Sequence, residues 1–238
     1  GGINAAAITL KRSTVSGNHA LSVHNAPAHG GGVWGGTVLI DYSTIAGNKA
    51  DSAGGGVVSR QYLAMTNSTV SGNTTSNLGV IAGIYAVNSA QIFNSTIAGN
   101  VSGTGVAAGL YVRKTAISQF ILSSTVIAGN SVQGIPLDLG VSGNLVVNGS
   151  KNFIGAVQNG TAMPADTLFG DPRLGPLANN GGPTLTHAPL RGSLLIDHGT
   201  SDPRLTRDQR GLARVQGAMT DIGAVESDFL FANGFEAR

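Results

Sequence analysis

The chain has 238 residues and a formal net charge of +2, and only 11% of its residues are charged, against about 25% in most soluble domains. The small, scattered positive charge does not indicate a nucleic-acid-binding protein, and the absence of cysteine excludes disulfides, thiolate catalysis and cysteine-based zinc sites. The 36 glycines, with many Ser, Thr, Asn and small aliphatic residues, favour short strands and tight turns over a helical bundle or a disordered chain.

A short uncharged phrase recurs five times. It reads STVSGN at 13–18, STIAGN at 43–48, STVSGN at 68–73, STIAGN at 95–100 and STVIAGN at 124–130. Its final asparagines are 30, 25, 27 and 30 residues apart, a spacing typical of solenoid repeats. Asparagine side chains stacked at a solenoid turn can hydrogen-bond to one another, so we predict a structural ladder. Its members are Asn18, Asn48, Asn73, Asn100 and Asn130.

An alternating apolar pair precedes each phrase. Val38 and Ile40 are one such pair, and in the fifth repeat we assign the pair to Gln119 and Ile121. Alternation with period 2 is typical of a strand with one buried face. The apolar residue inside the phrase, Val126 in the fifth repeat, follows five positions later. Because five is odd, the chain must bend between the two if both are to face the core.

These patterns predict a strand, a corner at Asn67-Ser68 or Asn94-Ser95, a short strand, a turn at Gly-Asn, and a third strand at Gly-Gly-Gly-Val. That order describes one coil of an all-β, three-faced parallel β-helix. We predict a solenoid of five or six coils over residues 1–165, with right-handed crossovers and a coil spacing of about 4.8 Å. The first coil has no visible cap and would expose unpaired backbone groups, so we expect it to be covered by further coils, a cap or another subunit.

The composition changes near residue 165. The following segment is richer in charged residues and proline, and it lacks the repeated phrases. We predict an irregular C-terminal cap module over residues 166–228 and a separate tail over residues 229–238.

The second segment carries phrases of a known module. They are DPRLGPLANNGGPTLTHAPLRGSLLIDHG at 171–199 and DQRGLARVQGAMTDIGAVE at 208–226. This stretch closely resembles the choice-of-anchor Q module of bacterial surface and secreted proteins. The coils resemble the right-handed parallel β-helix stalks that precede this module and those of polymorphic outer-membrane proteins. The tail phrase FLFANGFE resembles a C-terminal signature of secreted proteins from some Gram-negative bacteria. The resemblance implies a secreted or cell-surface bacterial protein and supplies no catalytic residues.

Two tyrosines and three basic residues are the candidates for binding a glycan or protein partner. Tyr85 and Tyr111 directly follow the apolar residues of their Gly-rich phrases, so they should point outward in adjacent coils and offer a platform for sugars. Arg60 and Arg113 occupy equivalent positions two coils apart, and Lys114 follows directly. Together these cations form a basic patch compatible with an acidic polysaccharide.

Five polar residues stand out in the cap module: His187, Asp197, Asp208, Arg210 and Asp221. They would suit a hydrolytic triad or a calcium site. We favour Arg–Asp pairs and turn-capping carboxylates that stabilise an irregular module. His19, His24 and His29 lie five apart in the first long loop, a spacing that does not match metal-binding pairs on a helix. We therefore predict neither a metal nor another cofactor.

A polysaccharide lyase or glycoside hydrolase is the alternative function. A glycosidase needs two carboxylates at one groove, but Asp41, Asp51 and Asp138 do not share a coil position. We therefore predict a non-enzymatic structural or adhesive protein of the cell surface or the extracellular space. Its expected partners are an extracellular polysaccharide, a surface protein or a second copy stacked head to tail in a filament or matrix. We expect no nucleic acid and no transmembrane segment.

Overall fold

A computed structural model describes residues 1–23, 26–115, 119–200 and 202–227. The predicted tail at 229–238, the last residue of the predicted module and His24 lie outside these ranges. The described chain contains no helix, and its strands form a β-solenoid of about five turns, as predicted. No part of the described chain therefore forms a helix that could cross a bilayer.

Short strands alternate with tight corners along the solenoid. In chain order they are β1 (Ile3–Lys11), β2 (Thr14–Ser16), β3 (His19–Ala20), β4 (Val33–Asp41), β5 (Thr44–Ala46), β6 (Lys49–Ala50), β7 (Val57–Thr66), β8 (Thr69–Ser71), β9 (Thr74–Thr75), β10 (Ile84–Val87), β11 (Ser89–Phe93), β12 (Thr96–Ala98), β13 (Val101–Ser102), β14 (Leu110–Arg113), β15 (Phe120–Ser123), β16 (Val126–Ala128), β17 (Ser131–Val132), β18 (Ile135–Pro136), β19 (Leu139–Val141), β20 (Val147–Asn148), β21 (Phe153–Ile154) and β22 (Leu168–Phe169).

The strands stack into three sheets. The long sheet joins β1, β4 and β7 and then divides into β10-β14-β19 and β11-β15-β20. The middle sheet is β2-β5-β8-β12-β16-β21-β22, and the short sheet is β3-β6-β9-β13-β17-β18. All named strands pair in parallel except β17 and β18, which form an antiparallel hairpin at the end of the short sheet. Coil one is β1–β3, coil two β4–β6, coil three β7–β9, coil four β10–β13 and coil five β14–β17.

The predicted bend lies between the long and middle sheets. Asn67 and Asn94 adopt left-handed backbone geometry there, with φ of 45° and 44°. Asparagine tolerates this region better than most residues, because its short polar side chain can bond locally. The bend turns Val70 and Ile97 into the lumen, where both are fully buried beside the alternating residues of the long sheet.

The Gly-Gly-Gly-Val phrase brings successive coils into close contact before the long sheet begins. A Cβ atom on Gly31 would lie 2.2 Å from the Lys49 carbonyl oxygen, and one on Gly55 would lie 2.3 Å from that of Thr74. Only glycine fits these positions, since no side chain can occupy a space filled by backbone. Val33 and Val57 then start β4 and β7, as the sequence pattern predicted.

The fifth repeat lies one residue later than we assigned it. Strand pairing aligns Phe120 with Ala90, and Ile127 with Ile97. Ser124-Thr125 resembles the Ser-Thr of the phrase, but Thr125 occupies the position of Ser95 in the previous coil. Its hydroxyl accepts a hydrogen bond from the Ser95 backbone N–H. The lumen is filled by Phe120, Leu122 and Ile127 rather than by Gln119, Ile121 and Val126.

The C-terminal module covers the side of the solenoid rather than its end. Thr44 donates a hydrogen bond to the Leu185 carbonyl at 2.6 Å, and the Ala224 N–H donates to the Thr96 hydroxyl at 3.1 Å. Both threonines lie on the outer face of the middle sheet. Further along this face, Val126 packs with Ile222 of the module in a second apolar cluster. Strand β22 is the last strand of the middle sheet, and the chain after it has no further named strand among the described residues.

Candidate functional site

The outer face of the long sheet carries a groove of about 240 Å³ lined by aromatic, basic and apolar side chains. None of the described residues that line it is acidic. We call it the basic groove. Its lining residues are His29, Trp34, Val58, Arg60, Tyr85, Val87 and Arg113.

Strand register places the aromatic rings of the groove in one column. Trp34 pairs with Val58, Val58 with Tyr85, and Tyr85 with Tyr111. Successive side chains of a strand point to opposite faces, so these residues face outward while the buried Ile84 and its equivalents face the lumen. The Tyr85 and Tyr111 rings are 6.0 Å apart between centroids and tilted by 44°. The two tyrosines thus form the outward pair that the sequence predicted.

The two arginines of the groove lie in the neighbouring column. Arg113 pairs with Val87, and Arg60 directly follows Ser59, the partner of Ala86. The Arg60 guanidinium lies over the Trp34 ring, 5.9 Å from its centroid. Neither arginine forms an ion pair with a carboxylate of the described residues. Both guanidinium groups are exposed and available to an anionic ligand.

His29 is the titratable residue of the groove that could exchange a proton near neutral pH. Partial burial lowers the pKa of its imidazole, and the charge of Arg60 lowers it further. The side chain is therefore neutral at pH 7 and keeps one nitrogen free to accept a proton.

Lys114 does not join the groove. Its ammonium group lies 3.4 Å from the Asn144 carbonyl oxygen, and its backbone N–H donates to the Ser142 hydroxyl. Three of the five predicted binding residues, Arg60, Tyr85 and Arg113, thus line the groove. Tyr111 lies beside it against Tyr85, and Lys114 is separate. Sequence reasoning did not single out Trp34, although it follows Val33 just as Tyr85 follows Ile84. That shared position was the signal for its place in the aromatic column.

The asparagine ladder forms as predicted. From Asn48 onward, each side-chain oxygen accepts the backbone N–H and the side-chain amide of the asparagine in the preceding coil. The distance from the amide nitrogen to the oxygen is 2.9 Å for Asn18–Asn48, 3.0 Å for Asn48–Asn73, 2.9 Å for Asn73–Asn100 and 2.8 Å for Asn100–Asn130. The inner members are fully buried, and their amides also bond carbonyl groups of neighbouring coils. The ladder is therefore part of the scaffold.

Asp138 ends this ladder. Its Oδ1 accepts the backbone N–H and the side-chain amide of Asn130, and its Oδ2 accepts the Ala156 N–H at 2.8 Å. Burial raises the pKa of this carboxyl, while the same hydrogen bonds oppose the rise. Asp51 is held elsewhere by the Ser22 N–H and by His19. Asp51 and Asp138 thus have structural partners, and neither they nor Asp41 line the basic groove.

His187 connects the module to the solenoid. Its Nδ1 donates to the Gly175 carbonyl at 2.8 Å, so its Nε2 accepts the Ser71 hydroxyl at 2.8 Å. A serine bonded to a histidine is the core of a hydrolytic triad. Here Ser71 is only 4% exposed and no carboxylate orients the imidazole, so the pair serves as an interface contact. Burial lowers the pKa of His187 and keeps it neutral.

The predicted carboxylates of the module, Asp197, Asp208 and Asp221, accept backbone N–H groups, and Asp208 also binds an arginine. Asp208 accepts Nε and Nη2 of Arg210 at 2.9 and 2.8 Å, and both side chains are almost fully buried. Asp221 accepts the backbone N–H groups of Asp197 and Ser227. The described chain has no group of three or more His, Cys, Asp or Glu residues that could hold a metal ion. These contacts match the turn-capping arrangement that we favoured.

Sequence reasoning missed two buried residues that fix the module to the solenoid, Gln209 and Arg214, and the buried Glu226 that binds Arg214. The Gln209 side chain donates to the Thr44 hydroxyl at 2.9 Å and accepts the Thr69 hydroxyl at 2.7 Å. Arg214 reaches the corner of the solenoid, where Nη2 donates to Asn67 Oδ1 at 2.7 Å, while Nη1 donates to Glu226 at 2.8 Å. The partners of Gln209 and Arg214 lie more than a hundred residues away in the sequence, and no local pattern marks them.

The Arg214–Glu226 pair is almost inaccessible to solvent. Burial raises the pKa of Glu226 to about 8, although the neighbouring guanidinium opposes the rise. A buried ion pair seldom adds much net stability, but the loss of one partner leaves an uncompensated charge. The pair joins the segment at Arg214 to that at Glu226, and Arg214 in turn reaches Asn67 of the solenoid.

No protein-family model matches this sequence, and comparisons with curated proteins and with solved structures gave no match. The resemblance to the choice-of-anchor Q module therefore stays a prediction from the residues quoted above.

Proposed function

We propose that the protein is a non-enzymatic structural or adhesive β-solenoid that binds an acidic polysaccharide along the basic groove. The observation that supports this most is that one face of the long sheet combines two arginines, which pair with no carboxylate of the described residues, with a column of partly exposed aromatic rings. Aromatic rings offer flat apolar surface to sugar rings, and arginine binds carboxylates through paired hydrogen bonds.

Binding is tested with a panel of soluble acidic and neutral polysaccharides. We expect acidic chains to bind in low salt and neutral chains of the same length to bind much more weakly. The double variant Arg60→Gln with Arg113→Gln should lose this binding. Lys114→Gln removes one positive charge outside the groove and should retain it. Equal binding by the double variant and the wild type would contradict the proposal.

His29 supports one second candidate, a lyase that acts on polyuronates. An arginine would neutralise the uronate carboxylate while neutral His29 accepts the C5 proton, the C4–O bond breaks, and a C4–C5 double bond forms. The departing oxygen would take a proton from Tyr85 or from water. Unsaturated uronate absorbance that grows with time, and that is lost in His29→Ala, would replace the binding proposal with this activity.

We further propose that the protein lies outside a bacterial cell, of Gram-negative type, with the C-terminal module as a choice-of-anchor Q-like domain. The motif residues carry this proposal. Two of them, Gln209 and Arg210 of the DQRG phrase, are buried where the module meets the solenoid or closes on itself. Protease treatment of intact cells that produce the protein would degrade a surface-exposed chain and spare an internal one.

Self-association through coil one is the last part of the proposal. Strand β1 pairs on one side only within the described chain, and Asn18 Oδ1, at the exposed end of the ladder, accepts no hydrogen bond there. Asp138 ends the ladder on the other side with a carboxylate that already accepts three N–H groups and has none to offer Asn18 of a second copy, so we favour contact between two first coils over head-to-tail stacking. Sedimentation should show association that weakens in Ala5→Lys, which places a charge on this edge. A concentrated wild-type sample that remains monomeric would contradict this part.

A further inference from the structure

We propose that the basic groove recognises acidic chains whose carboxylates are one disaccharide apart, with the sugar chain parallel to the solenoid axis. This inference rests on the proposed function and specifies its ligand. The spacing of the arginines and the residue between them carry the argument.

The two arginines are separated by two coil steps. Val87 pairs with Arg113 on one side, and Arg60 lies at the same step of the strand on the other. Parallel strands in a sheet are about 4.8 Å apart, which places the two arginine Cα atoms about 10 Å apart along the axis. A disaccharide in an extended polysaccharide has about this length. One carboxylate for each disaccharide would therefore meet one arginine each.

Val87 disfavours the binding of chains that carry a carboxylate on every sugar. A chain with carboxylates on successive sugars of one side would place its middle carboxylate against this apolar side chain, which lines the groove between the two cations. A carboxylate that loses water without gaining a partner is strongly disfavoured. Chains that alternate an acidic and a neutral sugar avoid this contact.

The aromatic column sets the direction of the chain. Tyr85 and Tyr111 lie in adjacent coils, so their rings succeed one another along the axis at the step of one sugar. Trp34 extends the column on the other side of Val58, with the Arg60 guanidinium above it. Sugars stacked on this column would lie beside the arginines.

An extended acidic peptide fits this spacing less well. Side chains on one face of an extended strand repeat at about 6.8 Å, twice the rise of one residue. Two such carboxylates cannot meet arginines about 10 Å apart without bending the peptide. Polyglutamate is therefore the competing probe in the test.

Trp34 makes the test direct, because it is the only tryptophan of the chain and lies in the groove. Its fluorescence reports occupancy during titration with defined oligosaccharides. The sugar probes are a hyaluronan tetrasaccharide with two carboxylates one disaccharide apart, the corresponding disaccharide with one carboxylate, a galacturonate tetramer with four, and a neutral chitin tetramer. Polyglutamate is the peptide probe.

We expect the hyaluronan tetrasaccharide to bind at least tenfold tighter than the disaccharide, and at least as tightly as the galacturonate tetramer despite its smaller charge. Arg60→Gln and Arg113→Gln should each weaken its binding about tenfold, since each removes one charge-assisted contact. Lys114→Gln should leave binding unchanged. Val87→Arg should improve binding of the galacturonate tetramer.

Affinity that follows the number of carboxylates alone, with loss in both arginine variants, would overturn the spacing and leave the proposed function intact. Failure of every acidic oligosaccharide, or tighter binding of polyglutamate than of any sugar, would overturn both. The length series on the wild type needs no variant, so a misfolded variant does not prevent a decision.

Discussion

Asn130 donates its backbone N–H and its side-chain amide to the same oxygen of Asp138, each at 2.7 Å. The ladder of neutral amides thus ends at a carboxylate, whose two oxygens only accept hydrogen bonds. Hairpin β17–β18 makes this possible, because it returns the chain beside Asn130 after only eight residues. The end of the ladder is thus built locally.

Asp138→Ala should lower the free energy of unfolding by about 3 kcal/mol, because three buried donors lose their acceptor. Asp138→Asn keeps one acceptor oxygen but opposes an amide to the Ala156 N–H, so it should cost about half as much. Urea unfolding monitored by circular dichroism gives both values. Equal effects of the two substitutions would show that volume, rather than hydrogen bonding, matters at this position.

Asn73 and Asn18 provide a matched comparison within one ladder. Asn73→Ala removes the acceptor of the buried Asn48 amide and should cost about 2–4 kcal/mol. Asn18 lies at the exposed end, where water can replace its partners, so Asn18→Ala should cost less than about 1 kcal/mol. Thermal unfolding of both variants tests the difference. Similar losses would mean that the ladder contributes equally at its exposed end.

Glu226 should make stability fall as the pH rises. Its pKa is raised from 4.5 to about 8, so the folded state holds a proton that the unfolded state releases between these values. The free energy of unfolding should decrease across this window, by at most about 1.4 kcal/mol per pH unit. Glu226→Gln should remove this slope. An unchanged pH profile in the variant would show that Glu226 is already ionised in the folded protein.

His187 should act with the opposite sign. Burial lowers the pKa of His187 below 6.5. As the pH falls below 6.5, the unfolded state therefore binds a proton at this residue before the folded state does. Its contribution to stability is therefore complete above pH 6.5 and declines below it. His187→Gln should flatten this decline relative to the wild type. The wild-type slope below pH 6.5 would have to persist in the variant for this assignment to fail.

Tyr85→Ala should weaken binding of an acidic oligosaccharide about fivefold, which corresponds to about 1 kcal/mol, because a sugar loses its stacking surface. Tyr62 provides the control. It lies on β7 outside the groove, where it pairs with Thr37 and Ser89, so Tyr62→Ala should not change the affinity. Isothermal titration with one oligosaccharide compares the two. An equal loss in both would indicate a general effect on the sheet.

The solenoid could be predicted because each coil repeats the same local chemistry. The alternating pairs, the left-handed corners and the Gly-Asn turns all depend on residues within one repeat, and strand pairing followed from stacking them. The predicted register of the fifth repeat was wrong because Ser124-Thr125 has the sequence of the phrase but lies one position before its structural equivalent. Only its pairing partners, Phe93 and Ser95 in coil four, reveal the true register.

The groove could be predicted in part, and the docking of the module could not. Tyr85, Tyr111 and the arginines follow from repeat positions, whereas the Lys114 ammonium group contacts the carbonyl oxygen of Asn144, in a later turn that lacks the repeat pattern. The module has no period, and its contacts join distant parts of the chain. The sequence predicted Arg–Asp pairs in the module, but nothing near Gln209 indicates that it hydrogen-bonds two threonines of the solenoid.

The lateral position of the module constrains how the chain can change in length. Duplication of one coil would preserve the lumen and the ladder, because every repeat offers the same contacts. It would also shift every later coil by about 4.8 Å against the module. Thr44, Thr69 and Thr96 hydrogen-bond to Leu185, Gln209 and Ala224 of the module. An extra coil between these threonines would break at least one of the three contacts. Contact with the module therefore limits the number of coils that this part of the solenoid can contain.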